Sequence, residues 1–208
     1  CALPIYGWSD DEWAWLKGTS IERYVEDRNL AVVMPRVELS FYSNMASGMR
    51  FWDYLTEELP ALCRQWFPVT DSPDLTFAAG LSMGGYGAFR LGLQFPERFS
   101  AVASLSGALD VHALLKEWAD SDQRPLIEAI LGQDIQSVPD DTDLFKLASL
   151  RAKGNGPLPA FYQSCGTEDY LLEDNRRFRE HARSEGLEID YREVPGDHVW
   201  AFWDKDIQ

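Results

Sequence analysis

The chain has 208 residues, 45% of them hydrophobic and 13% aromatic, enough for one core and too few for two ordinary domains. That composition argues against disorder. Thirty-four Asp and Glu face nineteen Lys and Arg, a formal charge of −15, and without a dense basic stretch to follow a phosphate backbone, nucleic acid is excluded as an expected partner.

The chain opens on the strand-like "CALPIYG" and lacks an initiator methionine, so the missing signal peptide says nothing about compartment. No apolar run approaches the roughly twenty residues needed to cross a bilayer. Cys1, Cys63 and Cys165 are too few and too scattered for a disulfide framework or a zinc site and read as packing residues. Ser9-Asp10-Asp11-Glu12 has the form of a capping box that opens a helix.

Strands are expected at "ALPIYG" (2–7), "LAVVMPR" (30–36), "LTFAAGLS" (75–82), "FSAVASLSG" (99–107), "LPAFYQSCG" (158–166) and "LEIDYREV" (187–194). Several are apolar throughout, as strands buried on both faces are. Helices are expected at about 52–67, 84–95, 174–185 and from about 199. Glu173 and Asp174 suit the positive end of the third, and Gly186 closes it. This rhythm predicts a single α/β domain over 1–208, a mostly parallel sheet flanked by helices. Residues 108–157 break the rhythm and read as a helical insertion between strands, with "DDTD" at 140–143 a solvated turn and helix cap rather than a calcium loop.

Gly80-Leu81-Ser82-Met83-Gly84 is the chain's one G-x-S-x-G, set between an apolar strand and an Ala- and Gly-rich helix. That strand–turn–helix setting marks a nucleophile elbow. The turn is so sharp that side chains two before and two after the serine collide, hence Gly80 and Gly84. A serine hydroxyl needs a base. His112 lies in the insertion and His181 on a charged helix face, whereas His198 follows a strand across Pro195-Gly196-Asp197 and emerges at the edge that carries Ser82. The acid lies between them in chain order, at Asp169 just past a strand end, with Glu168 the rival. Asp197 adjoins His198 too closely to reach its distal ring nitrogen.

With these residues in place, "GLSMGGYGAFRLGLQFPERFSAVASLSGALD", "SCGTEDYLLEDNRRF" and "PGDHVWAFWD" closely resemble the esterase D-like branch of the α/β-hydrolases, especially tributyrin-esterase-type bacterial carboxylesterases. "TSIERYVEDRNLAVVMP" and "SFYSNMASGMRFWDYLTEELP" look like the same family's earlier segments. The resemblance implies the α/β-hydrolase fold, Ser82 as nucleophile, Asp169 as orienting acid, His198 as general base and acid, and an oxyanion hole from the backbone N–H groups of Met83 and Trp8. It also implies further strands ahead of Cys1, a longer last helix, and His-Gly where this chain has Tyr6-Gly7.

The expected activity is hydrolysis of short-acyl esters, including acetylated or aryl-acylated carbohydrate, through an acyl-enzyme with no metal or organic cofactor. Trp8, Phe41, Tyr42 and Trp200 are expected to line a compact aromatic pocket. The alternatives are S-formylglutathione hydrolysis by the same triad and a non-catalytic binding protein on the same scaffold.

Overall fold

In the computed structural model, which describes residues 1–8, 10–132 and 139–208, five strands pair in parallel and lie side by side in chain order. They are β1 (Ala2–Ile5), β2 (Phe77–Leu81), β3 (Ala101–Leu105), β4 (Ala160–Gly166) and β5 (Asp190–Val194). Parallel neighbours need long crossovers, and helices supply them. The β1–β2 crossover carries α1 (Ala14–Gly18), α2 (Ile21–Val25), and a long helix built from α3 (Phe51–Asp53), a π-turn at Tyr54–Glu58 and α4 (Leu59–Trp66). Then α5 (Met83–Gln94) links β2 to β3, and α6 (Val111–Trp118), α7 (Arg124–Leu131) and α8 (Leu144–Ala152) precede β4. Last come α9 (Leu172–Glu185) and, after β5, α10 (Trp200–Asp206).

The register matters for function. Ile5 pairs with Gly80, Leu81 with Leu105, and Leu105 with Ser164, so the carboxyl ends of adjacent strands finish level. Whatever follows them, Tyr6, Ser82 and Ser106 included, emerges at one edge of the sheet. At the centre, α5 is buried from Met83 to Leu93, as expected of a helix apolar on nearly every side. Its last carbonyls, Leu93 O and Gln94 O, accept from the Arg151 guanidinium of α8 at 2.5 and 2.9 Å, a cation satisfying a helix C-terminus.

Five of the six expected strands are present, and the sixth is not. Residues 30–36 make a single bridge, Ala2 to Val32, with Val33 N–H donating to Ala2 O at 2.9 Å. Pro35 follows at once and has no N–H for a ladder, so the contact stops there. The expected helix at 52–67 runs from Phe51 to Trp66, with the π-turn inside it. Pro60 explains the turn: it cannot donate to Thr56 O, which accepts instead from Arg98 Nη1 at 2.9 Å. Ser9 of the expected capping box lies outside the described residues. Asp11 closes the turn ahead of α1 by accepting from Trp13 N–H at 2.9 Å, and α1 itself has no side-chain cap.

Asp143 caps α8 by accepting from Phe145 N–H and Lys146 N–H. Gly186 ends α9 in the left-handed conformation, φ 92°, with Glu173 and Asp174 in its first turn. Residues 133–138 of the expected insertion lie outside the described residues. Within the rest, α6 and α7 form the excursion, while α8 packs between α5 and α9 in the helical layer on the sheet.

Edge strand β5 is tied to α9 by Arg176, which grips both oxygens of Glu193 at 2.9 and 2.7 Å, while Tyr191 Oη donates to Glu193 Oε1. The Arg176 bonds come first among the causes that lower the Glu193 carboxyl from 4.5 to about 2. A depressed carboxylate stabilises the fold fully above its unfolded pKa and loses that contribution as pH falls through the folded value. Parent stability should therefore decline between pH 4.5 and about 2 more steeply than that of Glu193→Gln, as urea midpoints across that window will show. Equal slopes would remove this pair from the acid response.

Candidate functional site

Ser82 follows β2 with φ 53° and ψ −120°, a conformation that costs a non-glycine residue about 1–3 kcal/mol. The neighbouring turn holds it there: Ser82 N–H donates to Leu105 O and Ala108 N–H donates to Ser82 O, both at 3.0 Å. A Cβ at Gly80 would overlap the Gly84 carbonyl, and one at Gly84 the Ile5 carbonyl. Only glycine fits either place.

His198 stands above the serine. Its Nε2 lies 3.0 Å from Ser82 Oγ, and its Nδ1 lies 2.9 Å from Asp169 Oδ2. Asp169 is sealed from solvent, its side chain 0% exposed, and its other oxygen accepts from Leu171 N–H at 2.8 Å. Burial pushes the Asp169 carboxyl up, but the bonds from His198 and Leu171 outweigh it and hold the group below its ordinary value. The carboxylate is therefore ionised where His198 needs an acceptor.

The rival acids have other partners. Glu168 Oε2 accepts from Gly196 N–H at 2.6 Å while Glu168 N–H donates to Gly196 O at 3.0 Å. That reciprocal pair ties the turn bearing Asp169 to the loop bearing His198. Asp197 Oδ1 accepts from the backbone N–H of His198 at 2.7 Å. The other histidines are elsewhere: His112 Nε2 meets Thr142 Oγ1, and His181 Nε2 meets Ser149 Oγ and Phe145 O.

Two backbone groups flank Ser82. Met83 opens α5, so its N–H has no partner within the helix. On the other side a Cβ at Gly7 would lie 3.1 Å from Ser82 Cβ, which brings the Tyr6-Gly7-Trp8 loop against the serine. Buried hydrogen bonds pin this loop. Val37 N–H donates to Tyr6 Oη and Tyr42 Oη donates to Tyr6 O, both at 2.7 Å. The Tyr42 carbonyl accepts from Arg90 Nη1 at 3.0 Å, and Arg90 lies over the Trp52 ring. Burial, the first cause, raises the Tyr6 hydroxyl pKa, so it stays protonated. Tyr6, where the resemblance implies histidine, thus anchors the loop.

Two of the four residues expected to line an aromatic pocket, Phe41 and Tyr42, are buried. Tyr42 is wholly buried, and both its hydroxyl and its carbonyl brace the loop. Phe41 is likewise buried, its ring 5.1 Å from Trp8 and 6.0 Å from Trp118. Trp200 packs on Trp15 and Trp203. The insertion supplies what was not foreseen, Trp118 of α6, its ring 4.9 Å from Trp8. Tyr170 and Trp203 also went unmarked, although their rings lie 4.7 and 4.9 Å from the His198 imidazole. Adjacency to Asp169 was the available signal for Tyr170, and position on the helix after His198 the signal for Trp203.

Among the described residues no three His, Cys, Asp or Glu side chains gather as metal ligands, and no helix is long and apolar enough to cross a membrane. A groove of about 560 Å³ runs along Leu3, Cys63, Phe77 and Phe95, with neither Ser82 nor His198 in its wall.

Comparison with known proteins gives the family and the fold. The family model described as "Putative esterase" matches residues 14–208. The acetyl esterase of Caldicellulosiruptor saccharolyticus is 30% identical over 208 residues, covering 98% of this chain and 78% of that protein. Substrate-bound FphF, a fluorophosphonate-binding serine hydrolase of Staphylococcus aureus, is similar at TM-score 0.88 and 32% identity, over 99% of this chain and 79% of that one. The S-formylglutathione hydrolase FrmB of Staphylococcus aureus is similar at TM-score 0.86 and 34% identity, over 99% and 80%. The fold is that of the α/β-hydrolases, and the chain belongs to the Esterase family of carboxylic ester hydrolases.

Proposed function

We propose that the chain is a serine carboxylesterase of the esterase D-like, tributyrin-esterase type, acting on short-acyl esters of small molecules. The observation that carries this reading is one imidazole 3.0 Å from Ser82 Oγ and 2.9 Å from Asp169 Oδ2. Ser82 Oγ attacks the ester carbonyl as His198 Nε2 takes its proton. The N–H groups of Met83 and Trp8 receive the oxyanion, each contributing about 3 kcal/mol at the transition state. The intermediate collapses to an acyl-enzyme, and the departing alcohol takes the proton from His198. Water then repeats the sequence and releases the acid. Asp169 holds the imidazole in the tautomer with Nδ1 protonated.

Trp8, with Phe41 and Trp118 behind it, supports a small acyl group, acetyl above all, and a carbohydrate ester is one natural form of it. The acetyl esterase among the relatives agrees with this choice. Purified protein should hydrolyse p-nitrophenyl acetate and butyrate. Ser82→Ala should lose the activity, and Asp169→Asn should lower kcat about 10⁴-fold, with circular dichroism unchanged in both. Residual turnover in folded Ser82→Ala equal to the parent's would sink the reading.

Thioester hydrolysis is the second reading, favoured by 34% identity to an S-formylglutathione hydrolase. It uses the same three residues, so only substrate preference separates the two. The expected result is a higher kcat/KM for p-nitrophenyl butyrate than for S-formylglutathione, and the reverse order would assign the thioesterase.

A further inference from the structure

Asn175, in the first turn of α9, is 0% exposed, and both hydrogens of its side-chain amide are engaged. Nδ2 donates to Gly107 O and to Leu171 O, both at 2.9 Å, while Oδ1 accepts from Gln163 Nε2 at 3.0 Å. Gln163, in the middle of β4, is also 0% exposed and its Nε2 donates to the Asn175 backbone carbonyl at 2.9 Å. The carbonyls fix both amides. Gly107 O, Leu171 O and Asn175 O can only accept, so turning either amide over would set oxygen against oxygen in the interior.

The two groups that accept from Asn175 each hold a part of the site. The Gly107 carbonyl belongs to the same rigid peptide as Ala108 N–H, which donates to Ser82 O at 3.0 Å. The Leu171 carbonyl belongs to the residue whose N–H donates to Asp169 Oδ1 at 2.8 Å. One buried NH2 group therefore joins the turn after β3, which holds Ser82, to the turn after β4, which carries Asp169. The His198 imidazole fits between those two residues, 3.0 Å from Ser82 Oγ and 2.9 Å from Asp169 Oδ2, so its fit depends on their separation.

We propose that Asn175 is a positioning residue for Ser82, His198 and Asp169: its NH2 group, oriented by Gln163, staples the turn that holds the serine to the turn that carries the acid. This rests on the triad assigned above. Asn175 acts through the two backbone turns, and without it each turn is free to move by the fraction of an ångström that separates a productive imidazole from an idle one.

The test uses Asn175→Ala, Gln163→Met and, as a control, Phe178→Leu, each checked for folding by circular dichroism and for stability in urea. Phe178 lies on the same helix, 0% exposed against Phe89 and Phe145, so its variant loosens α9 without removing a hydrogen bond of this set. Asn175→Ala should lower kcat for p-nitrophenyl butyrate about 10²-fold with KM within about twofold, Gln163→Met about tenfold, and Phe178→Leu less than about twofold. In substrate-free protein, the far-downfield proton resonance of the Asp169–His198 hydrogen bond should shift or broaden in the first two variants and stay in place in the third. Methionine matches glutamine in length and leaves every backbone bond in place, so Gln163→Met decides the matter with the same readouts should Asn175→Ala not fold. Parental kcat with an unmoved resonance in the deciding variant, or an equal loss of kcat in Phe178→Leu at matched stability, would overturn the proposal. Ser82→Ala run alongside separates the two claims: activity retained there defeats the triad, while the resonance still reports whether Asn175 holds Asp169 against His198.

Discussion

The site depends on one backbone conformation, that of Ser82 between β2 and α5. With an ordinary φ the chain would leave the sheet gradually and turn the hydroxyl toward the core. With φ at 53° it doubles back, and Oγ stands above the strand ends. Such strain persists only where the surroundings impose it. Leu105 and Ala108 hold both peptide groups of the serine, and the burial of α5 prevents its first turn from shifting outward. The strain of about 1–3 kcal/mol is small beside the apolar surface that α5 buries against β1, β2 and β3.

The loops at this edge solve a second problem, since buried backbone groups must find partners. Tyr6, Tyr42 and Arg90 form a chain of donors and acceptors behind Gly7 and Trp8. Glu168 and Gly196 exchange bonds between the turns that carry Asp169 and His198. Neither set touches the Ser82 hydroxyl. Each removes freedom from a loop that flanks Ser82 or His198, which is how a site built on loops reaches the precision of one built on strands. The acidic surface, formally −15 over the chain, has no part in this; it acts on solubility and on the approach of charged molecules.

The excursion between β3 and β4 serves two parts of the molecule. Its helix α6 brings Trp118 onto Trp8, while α8 returns to the common helical layer and caps α5 through Arg151. One segment thus contributes both to the aromatic cluster around Trp8 and to the stability of the helix that follows Ser82. The backbone supports of Ser82 lie apart from α6, in β3 and the turn after it.

The parallel order of elements, the elbow at Ser82 and the chain order of serine, acid and histidine are local matters. Apolar strand runs, glycine spacing and helix caps are set by neighbours a few residues away, so they were legible in the amino-acid sequence. So was the choice of His198, because its short Pro-Gly-Asp loop leaves it at a strand end. The missing strand at 30–36 was not legible, since its β propensity is real and only the lack of a ladder beyond Val32 denies it. The choice between Asp169 and Glu168 turned on which carboxylate meets Nδ1 and which meets Gly196, two contacts separated by 29 and 28 residues. The neighbours of Tyr42 and Trp200 were hidden for the same reason: an aromatic side chain looks identical in sequence whether it faces a cavity or a neighbouring helix. What the sequence determined by itself was the elements and the reactive groups, because short-range sterics and chemistry suffice for those. Tertiary structure alone decided which group meets which, because distances between residues far apart in the chain exist only once the sheet has brought their strand ends level.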